Sequence, residues 1–454
     1  ALSPSDLPRA NDIHLDAWAF AFTLTVAVMT GILFGLVPAF RASFGEIYEK
    51  LGVGTVRMSS GRNGRFRAAV VVSEVAMCLI LLTGAALLIE TFWHVLNTDP
   101  GFNPSQVLSI EVYLSGSRYN STATVSRYYD EAVQRIKPLP GVQSASAITA
   151  GLPLRRGANF GLSVAGKPVP RTFGIRMVMS DYFRTMGVPL VLGRPLTVAD
   201  NEKSPSVAVI SQEAARLLFP GQNPIGRRFQ FARLDWQVVG VVGDVKSYLD
   251  KPAEAGVYIP LAQTPYPVLN LVSIWFPEYI VVRASADPLV LSHTVKQQLQ
   301  AIDPSVGVGH VRTMEQVRSA AIAMRRFNMT LLSIFAALAL VLAAIGIYGV
   351  IAYSVTQRTH EIGVRMALGA KRTDVLRLVL RQGMVLTGFG VGLGVAGALA
   401  LTRLLESYLY RVQPTDPIAF SSTALLLGVV AMLASYIPAR RATRVDPLIA
   451  LRHE

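Results

Sequence analysis

Apolar runs separated by charged connectors set the pattern of this chain. Five runs, residues 17–40, 68–92, 327–355, 383–404 and 417–438, reach the length of roughly 20 helical residues that a bilayer crossing needs. Between the second and third lies a long stretch, 93–326, with a different rhythm. Short β-branched runs at 107–114, 207–210, 237–245 and 279–284 read as strands. Segments 128–137, 212–218 and 288–301 read as helices, with Asp287-Pro288 as a start signal for the last. The expected fold is an α-helical multi-pass membrane protein of about five transmembrane helices, with a large α/β extracytoplasmic domain of two lobes.

Loop charge sets the orientation. Arg41, Lys50, Arg57, Arg62, Arg65 and Arg67 follow the first run; Arg358, Arg365, Lys371, Arg372, Arg377 and Arg381 follow the third; Arg440, Arg441, Arg444 and Arg452 follow the fifth. Five crossings put all three segments on one side, and basic loops mark the cytoplasm. Residues 41–67, 356–382 and 439–454 are therefore expected inside, and 1–16, 93–326 and 405–416 outside. The net charge of +14 would suggest nucleic acid on a soluble chain, but 51% of the residues are hydrophobic and 16% charged. With a mean hydropathy of +0.41 the basic residues read as membrane topology, with lipid as the contact and no nucleic acid.

Two features bear on mechanics. Thr313 and Gln316 stand at capping-box spacing. No proline follows until beyond residue 355, so a helix of about 43 residues would reach about 65 Å, more than a bilayer takes, and leave an outer stalk. The fourth run is glycine-rich: Gly388 and Gly392 stand four apart, as do Gly390 and Gly394, which favours close helix packing. Glu74 and Glu90 lie near the ends of the second run, where reaching a headgroup or a helix partner is the ordinary role and an ion path the rarer one.

Catalytic chemistry is not written in the chain. It has one cysteine, Cys78, inside an apolar run, and six scattered histidines with no H-E-x-x-H. G-V-V-G-D-V at 240–245 is not a dinucleotide fingerprint, and no G-x-x-x-x-G-K-[ST] occurs. No catalytic residue, metal site or bound cofactor is expected of this chain.

Residues recur at an offset of 400: Asp16 and Asp416, Phe20 and Phe420, Thr23 and Thr423, Arg41 and Arg441. Duplication accounts for this, with the first run as the last helix of a preceding copy and the other four as one complete copy.

The connector T-H-E-I-G-V-R-M-A-L-G-A-K-R at 359–372, the Gly-rich run after it and the closing P-A-R-R-A-T-R-V-D-P-L-I-A-L-R resemble the MacB/FtsX-type permeases of ABC transporters. So do L-P-G-V-Q-S-A-S, S-D-Y-F-R-T-M-G-V-P-L-V-L-G-R-P and N-P-I-G-R-R-F in the outer segment. The duplication resembles permeases described from acidobacteria, and this chain the C-terminal half of one. The resemblance implies four membrane helices per half, a MacB-like periplasmic core domain and a bacterial inner-membrane location. It implies a coupling helix, 359–370, that docks on an ATPase through Glu361, Ile362, Gly363, Arg365, Met366, Gly369 and Ala370. Glu361 and Arg365 share a face, Ile362 and Met366 can enter an apolar groove, and Gly369 can end the helix. ATP is then used by a partner ABC ATPase. Further partners would be the preceding permease half or a second copy, and a membrane-fusion adaptor. The action would be efflux or mechanotransmission, the alternatives being control of an outside cell-wall hydrolase or lipoprotein release. A membrane-anchored sensor is the competing class, and 41–67 is too short for its signalling module.

Overall fold

The structure is a computed structural model that describes residues 56–402 and 409–443, with residues 17, 18, 20–26, 28, 29 and 32 before them. The described residues of 17–32 are helical; the rest of the first apolar run, with Asp16 and Arg41 of the repeat, lies outside the described residues, as do 41–55, 403–408 and 444–454. The chain divides into two compact units, His94–Met324 and the segments on either side of it. Both boundaries fall inside helices.

The first long helix, α1, spans Val56–Leu96 and so begins within the expected cytoplasmic loop. The His94–Met324 unit follows. Its strands are β1 (Val107–Tyr113), β2 (Val142–Thr149), β3 (Asn159–Val164), β4 (Lys167–Val178), β5 (Leu190–Gly193), β6 (Val207–Ser211), β7 (Arg228–Phe231), β8 (Leu234–Val242), β9 (Gly256–Pro260), β10 (Glu278–Ala284) and β11 (Gly307–Thr313). Its helices are α2 (Thr122–Ile136), α3 (Tyr182–Met186), α4 (Gln212–Leu218), α5 (Tyr266–Trp275) and α6 (Ser292–Ile302). All eleven strands form one sheet. β11, β1, β10 and β2 are antiparallel neighbours, covered by the apolar faces of α2 and α6. Parallel pairing of β4 with β9 closes a ring, β4-β3-β7-β8-β6-β9, around buried Phe173, Phe229 and Trp236. The two groups join where Ile148 and Thr149 of β2 meet Val178 and Met177 of β4.

β4 was hidden in the sequence by Pro168 and Pro170, which argue against a strand. They sit in its first half, where its pairing is with β3 alone. Its other edge there needs no N–H donor.

Glu111 on β1 holds β11. Its carboxylate accepts from Arg155 Nη1 at 2.8 Å and lies 3.0 Å from His310 Nδ1. Burial pushes this carboxyl up, but the hydrogen bonds from Arg155 and His310 outweigh it and hold the group below the usual carboxylate range. A lowered folded pKa gives stability that is complete above the unfolded value of about 4.3 and is lost as pH falls through the folded one. Glu111→Gln should therefore flatten the fall in unfolding free energy below about pH 4. Denaturant titrations across that range read it, and an unchanged slope counts against the cluster.

β11 leads directly into α7, Met314–Gln357, a single helix of 44 residues without a break at Arg325-Arg326. The capping box is formed: the Thr313 N–H donates to Gln316 Oε1 at 3.0 Å, and the Gln316 N–H to Thr313 Oγ1 at 3.1 Å. Arg318 donates to the Leu96 carbonyl, which ties the start of α7 to the end of α1. Thr313→Ala should cost about 1 kcal/mol and speed amide exchange in the first turn of α7. Unchanged exchange there would show that the cap contributes nothing.

After α7 come α8 (Thr359–Ala367), α9 (Arg372–Thr402) and α10 (Pro417–Ala442). Asp416 caps α10, accepting from the N–H groups of Ile418 and Ala419. α1, α7, α9 and α10 are each long and apolar enough to cross a membrane. Within their unit they share a core that includes Val75, Cys78, Leu79, Ile347, Ile351, Val379 and Leu427.

The glycines of α9 divide. A side-chain carbon at Gly390 would lie 2.5 Å from Val75 Cγ1, and one at Gly394 2.9 Å from Leu79 Cβ, so these two admit α1. Around Gly388 and Gly392 nothing lies within 4 Å among the described residues, so these two face away from α1. Two residues is about 200° of helix, so the pairs face opposite ways. Glu74 is at a helix partner: a methyl group at Gly346 of α7 would collide with its carboxylate.

Candidate coupling site

The connector of 359–372 is a short helix with well-defined ends. Arg358 breaks the α7 geometry with φ −105°. α8 then makes two and a half turns, and the chain leaves it through Gly369 at φ +95°. The Gly369 N–H donates to the Met366 carbonyl at 3.1 Å and the Ala370 N–H to the Arg365 carbonyl at 3.0 Å. These are the two bonds of a Schellman stop, and they need a residue that tolerates positive φ. Ala370 is thus part of the stop and lies beyond the helix. Residues 372–382, expected in the connector, are the first turns of α9.

The two faces of α8 differ. Glu361 and Arg365 are about half exposed and pair at 2.7 Å. An exposed i,i+4 pair contributes only about 0.3–0.5 kcal/mol, so it hardly explains the helix. Ile362 and Gly363 are buried. Ile362 packs with Val375 and Ala442, and Val355 and Met366 close around them. The expectation that Ile362 enters a partner's groove is therefore corrected: Ile362 holds α8 against the ends of α7, α9 and α10, while Met366 is only partly buried beside it. The apolar group left on the outside is Leu368, 83% exposed at the helix end. A-L-G reads as a helix ending in the sequence, and no local pattern marks Leu368 as exposed.

The helices that carry α8 are cross-braced near it. Arg67 stacks on the Tyr353 ring at 3.9 Å, the Ser354 hydroxyl and Gln382 side chain are within 3.2 Å, and Arg441 donates to the Tyr348 hydroxyl at 3.2 Å. Among the described residues no group of three or more His, Cys, Asp or Glu side chains could hold a metal ion.

Known proteins resemble the chain along most of its length. The MacB-like periplasmic core domain family matches residues 20–302, and the FtsX-like permease C-terminal family matches 333–447. The pyoverdine export ATP-binding/permease protein PvdT of Pseudomonas aeruginosa is 30% identical over 352 residues, 75% of this chain and 50% of the relative. The macrolide export ATP-binding/permease protein MacB 1 of Yersinia pestis is 27% identical over 285 residues, 61% of this chain and 43% of the relative. The chain thus spans about half the length of these relatives. The crystal structure of the periplasmic region of MacB from Actinobacillus actinomycetemcomitans aligns with a TM-score of 0.35 at 18% identity, over 50% of this chain and 96% of that one.

Proposed function

From the premise that this chain belongs to the MacB/FtsX-type family of ABC transporter permeases, a membrane protein with a large extracytoplasmic domain, we propose that it converts ATP hydrolysis by an ABC ATPase into movement of that domain. The observation that carries this reading is α7. One helix begins at the end of β11 and stops two residues before α8, so a shift of α8 bears directly on a strand of the outer sheet. The chain sits in the bacterial inner membrane, with His94–Met324 in the periplasm as its MacB-like core. The β11-β1-β10-β2 group and the closed ring are its two lobes. α8 is the coupling helix, with the exposed pair Glu361 and Arg365 and the stop at Gly369 as its docking features. ATP is bound and used by the ATPase. The 400-residue repeat supports a preceding permease half of the acidobacterial kind, which would supply a second coupling helix, and a membrane-fusion adaptor would complete an efflux assembly.

Glu361→Lys and Gly369→Pro test this. The first costs the isolated helix little, because the pair is exposed. The second cannot adopt φ +95° and removes the Gly369 N–H that bonds Met366. Both should abolish capture of the cognate ABC ATPase and stimulation of its ATP hydrolysis. Capture and stimulation at wild-type levels in both variants would end the proposal.

A further inference from the structure

The His94–Met324 unit carries a cleft that shares no residue with α8. α5 turns Leu269 and Val272 into the core but leaves Leu271, Ile274 and Trp275 49%, 68% and 75% exposed. A short helix showing three large apolar side chains to water marks a contact site. Beside it opens a cleft of about 400 Å³, within the range of small-molecule sites. Phe160, Leu271, Trp275 and Phe276 form its apolar wall, and Arg156 and Glu254 are its charged groups.

The two charges are not equivalent. Glu254 accepts from the Ser247 hydroxyl at 2.9 Å, and buried Arg176 stands behind it, Nη2 to Oε2 at 3.9 Å. Arg176 is itself fixed by Nη1, which donates to the carbonyls of Ala158 and Ile175 at 2.8 and 3.0 Å. The carboxylate is therefore offset from within the fold. Arg156 is exposed and has no acidic partner among the described residues. The uncompensated charge of the cleft is positive and lies next to an aromatic wall.

We propose that this cleft binds an anionic amphiphile. Its aromatic or branched apolar body lies on Trp275 and Phe276, and one carboxylate, sulfonate or similar group pairs with Arg156. A guanidinium and an indole that line one cleft suit both ends of such a molecule. The inference is separate from the coupling reading, because binding is measured with no ATPase present.

The test is calorimetric titration of the full chain in lipid nanodiscs, with empty nanodiscs subtracted. Three probes share one body: 2-naphthalenesulfonate, neutral 2-naphthalenemethanol and cationic 2-naphthylmethylammonium. One sulfonate should bind per chain, at least about tenfold tighter than either other probe. Arg156→Gln should remove that preference and Arg156→Lys should restore part of it. Trp275→Ala should weaken all three by about tenfold. Both side chains are exposed, so the variants should unfold as the native chain does. Failure of the sulfonate to saturate overturns the proposal. So does preference for the cation, or indifference of sulfonate affinity to Arg156→Gln.

Discussion

Gly390→Leu is expected to disrupt the membrane bundle, while Gly392→Leu leaves it intact. A side-chain carbon at residue 390 meets Val75 Cβ at 2.6 Å and the Val72 carbonyl oxygen at 3.1 Å. The first obstacle is a β-branched side chain and the second is backbone, so neither can turn aside. α9 would have to move away from α1, and the contact between small-residue faces that holds membrane helices together would be lost. Overpacking of this kind costs about 1–3 kcal/mol and occasionally more. At Gly392 nothing lies within 4 Å among the described residues, and replacing a helical glycine gains up to about 1 kcal/mol. Unfolding in detergent by heat or denaturant should therefore rank the variants Gly392→Leu, native, Gly390→Leu. Equal stability of the two variants would mean that α9 presents a different face to α1.

Leu368→Asp is expected to weaken ATPase association by about ten- to a hundredfold without changing the stability of the chain. The side chain is almost fully exposed, so the fold does not depend on it. Burying a leucine at an interface is worth about 1.5–3 kcal/mol, and each 1.4 kcal/mol is a factor of ten. Ile362→Ala should behave in the opposite way. It opens the small cluster with Val375 and Ala442 and lowers stability, at about 2–5 kcal/mol for a well-buried isoleucine. ATPase affinity measured on the surviving folded protein should change little. A large affinity loss in Ile362→Ala at full stability would mean that α8 docks by its other face.

The split between these two residues shows where sequence pattern informs and where it stops. The spacing of Thr313 and Gln316 and the absence of proline were enough to place α7, because capping and propagation are local. The α4 boundaries 212–218 were legible for the same reason. β4 was not, since whether its prolines face a free edge depends on which strands lie beside it. β11, with Gly307 and Gly309, carries little strand signal of its own. Gly309 is required because Tyr113 and Glu111 of β1 approach it closely. α5 has the composition of a core helix, and only the tertiary structure leaves Trp275 outside. In the connector, an i,i+4 charge pair and a terminal glycine can be read directly. The direction in which Ile362 points depends on α9 and α10, which no local pattern contains. The Gly388–Gly394 run is the sharpest case: the spacing of four identified two equivalent pairs, and α1 selects one of them.

The most direct measurement of coupling uses the single cysteine of the chain. Cys78 is buried, so Leu368→Cys offers a selective attachment point for a photoreactive maleimide. Labelled chain in nanodiscs, mixed with the cognate ABC ATPase and illuminated, should form a covalent adduct with it. Gly388→Cys, on the open face of α9, should form none. An ATPase that binds the labelled chain but is never captured from residue 368 would contradict the assignment of α8 as the coupling helix.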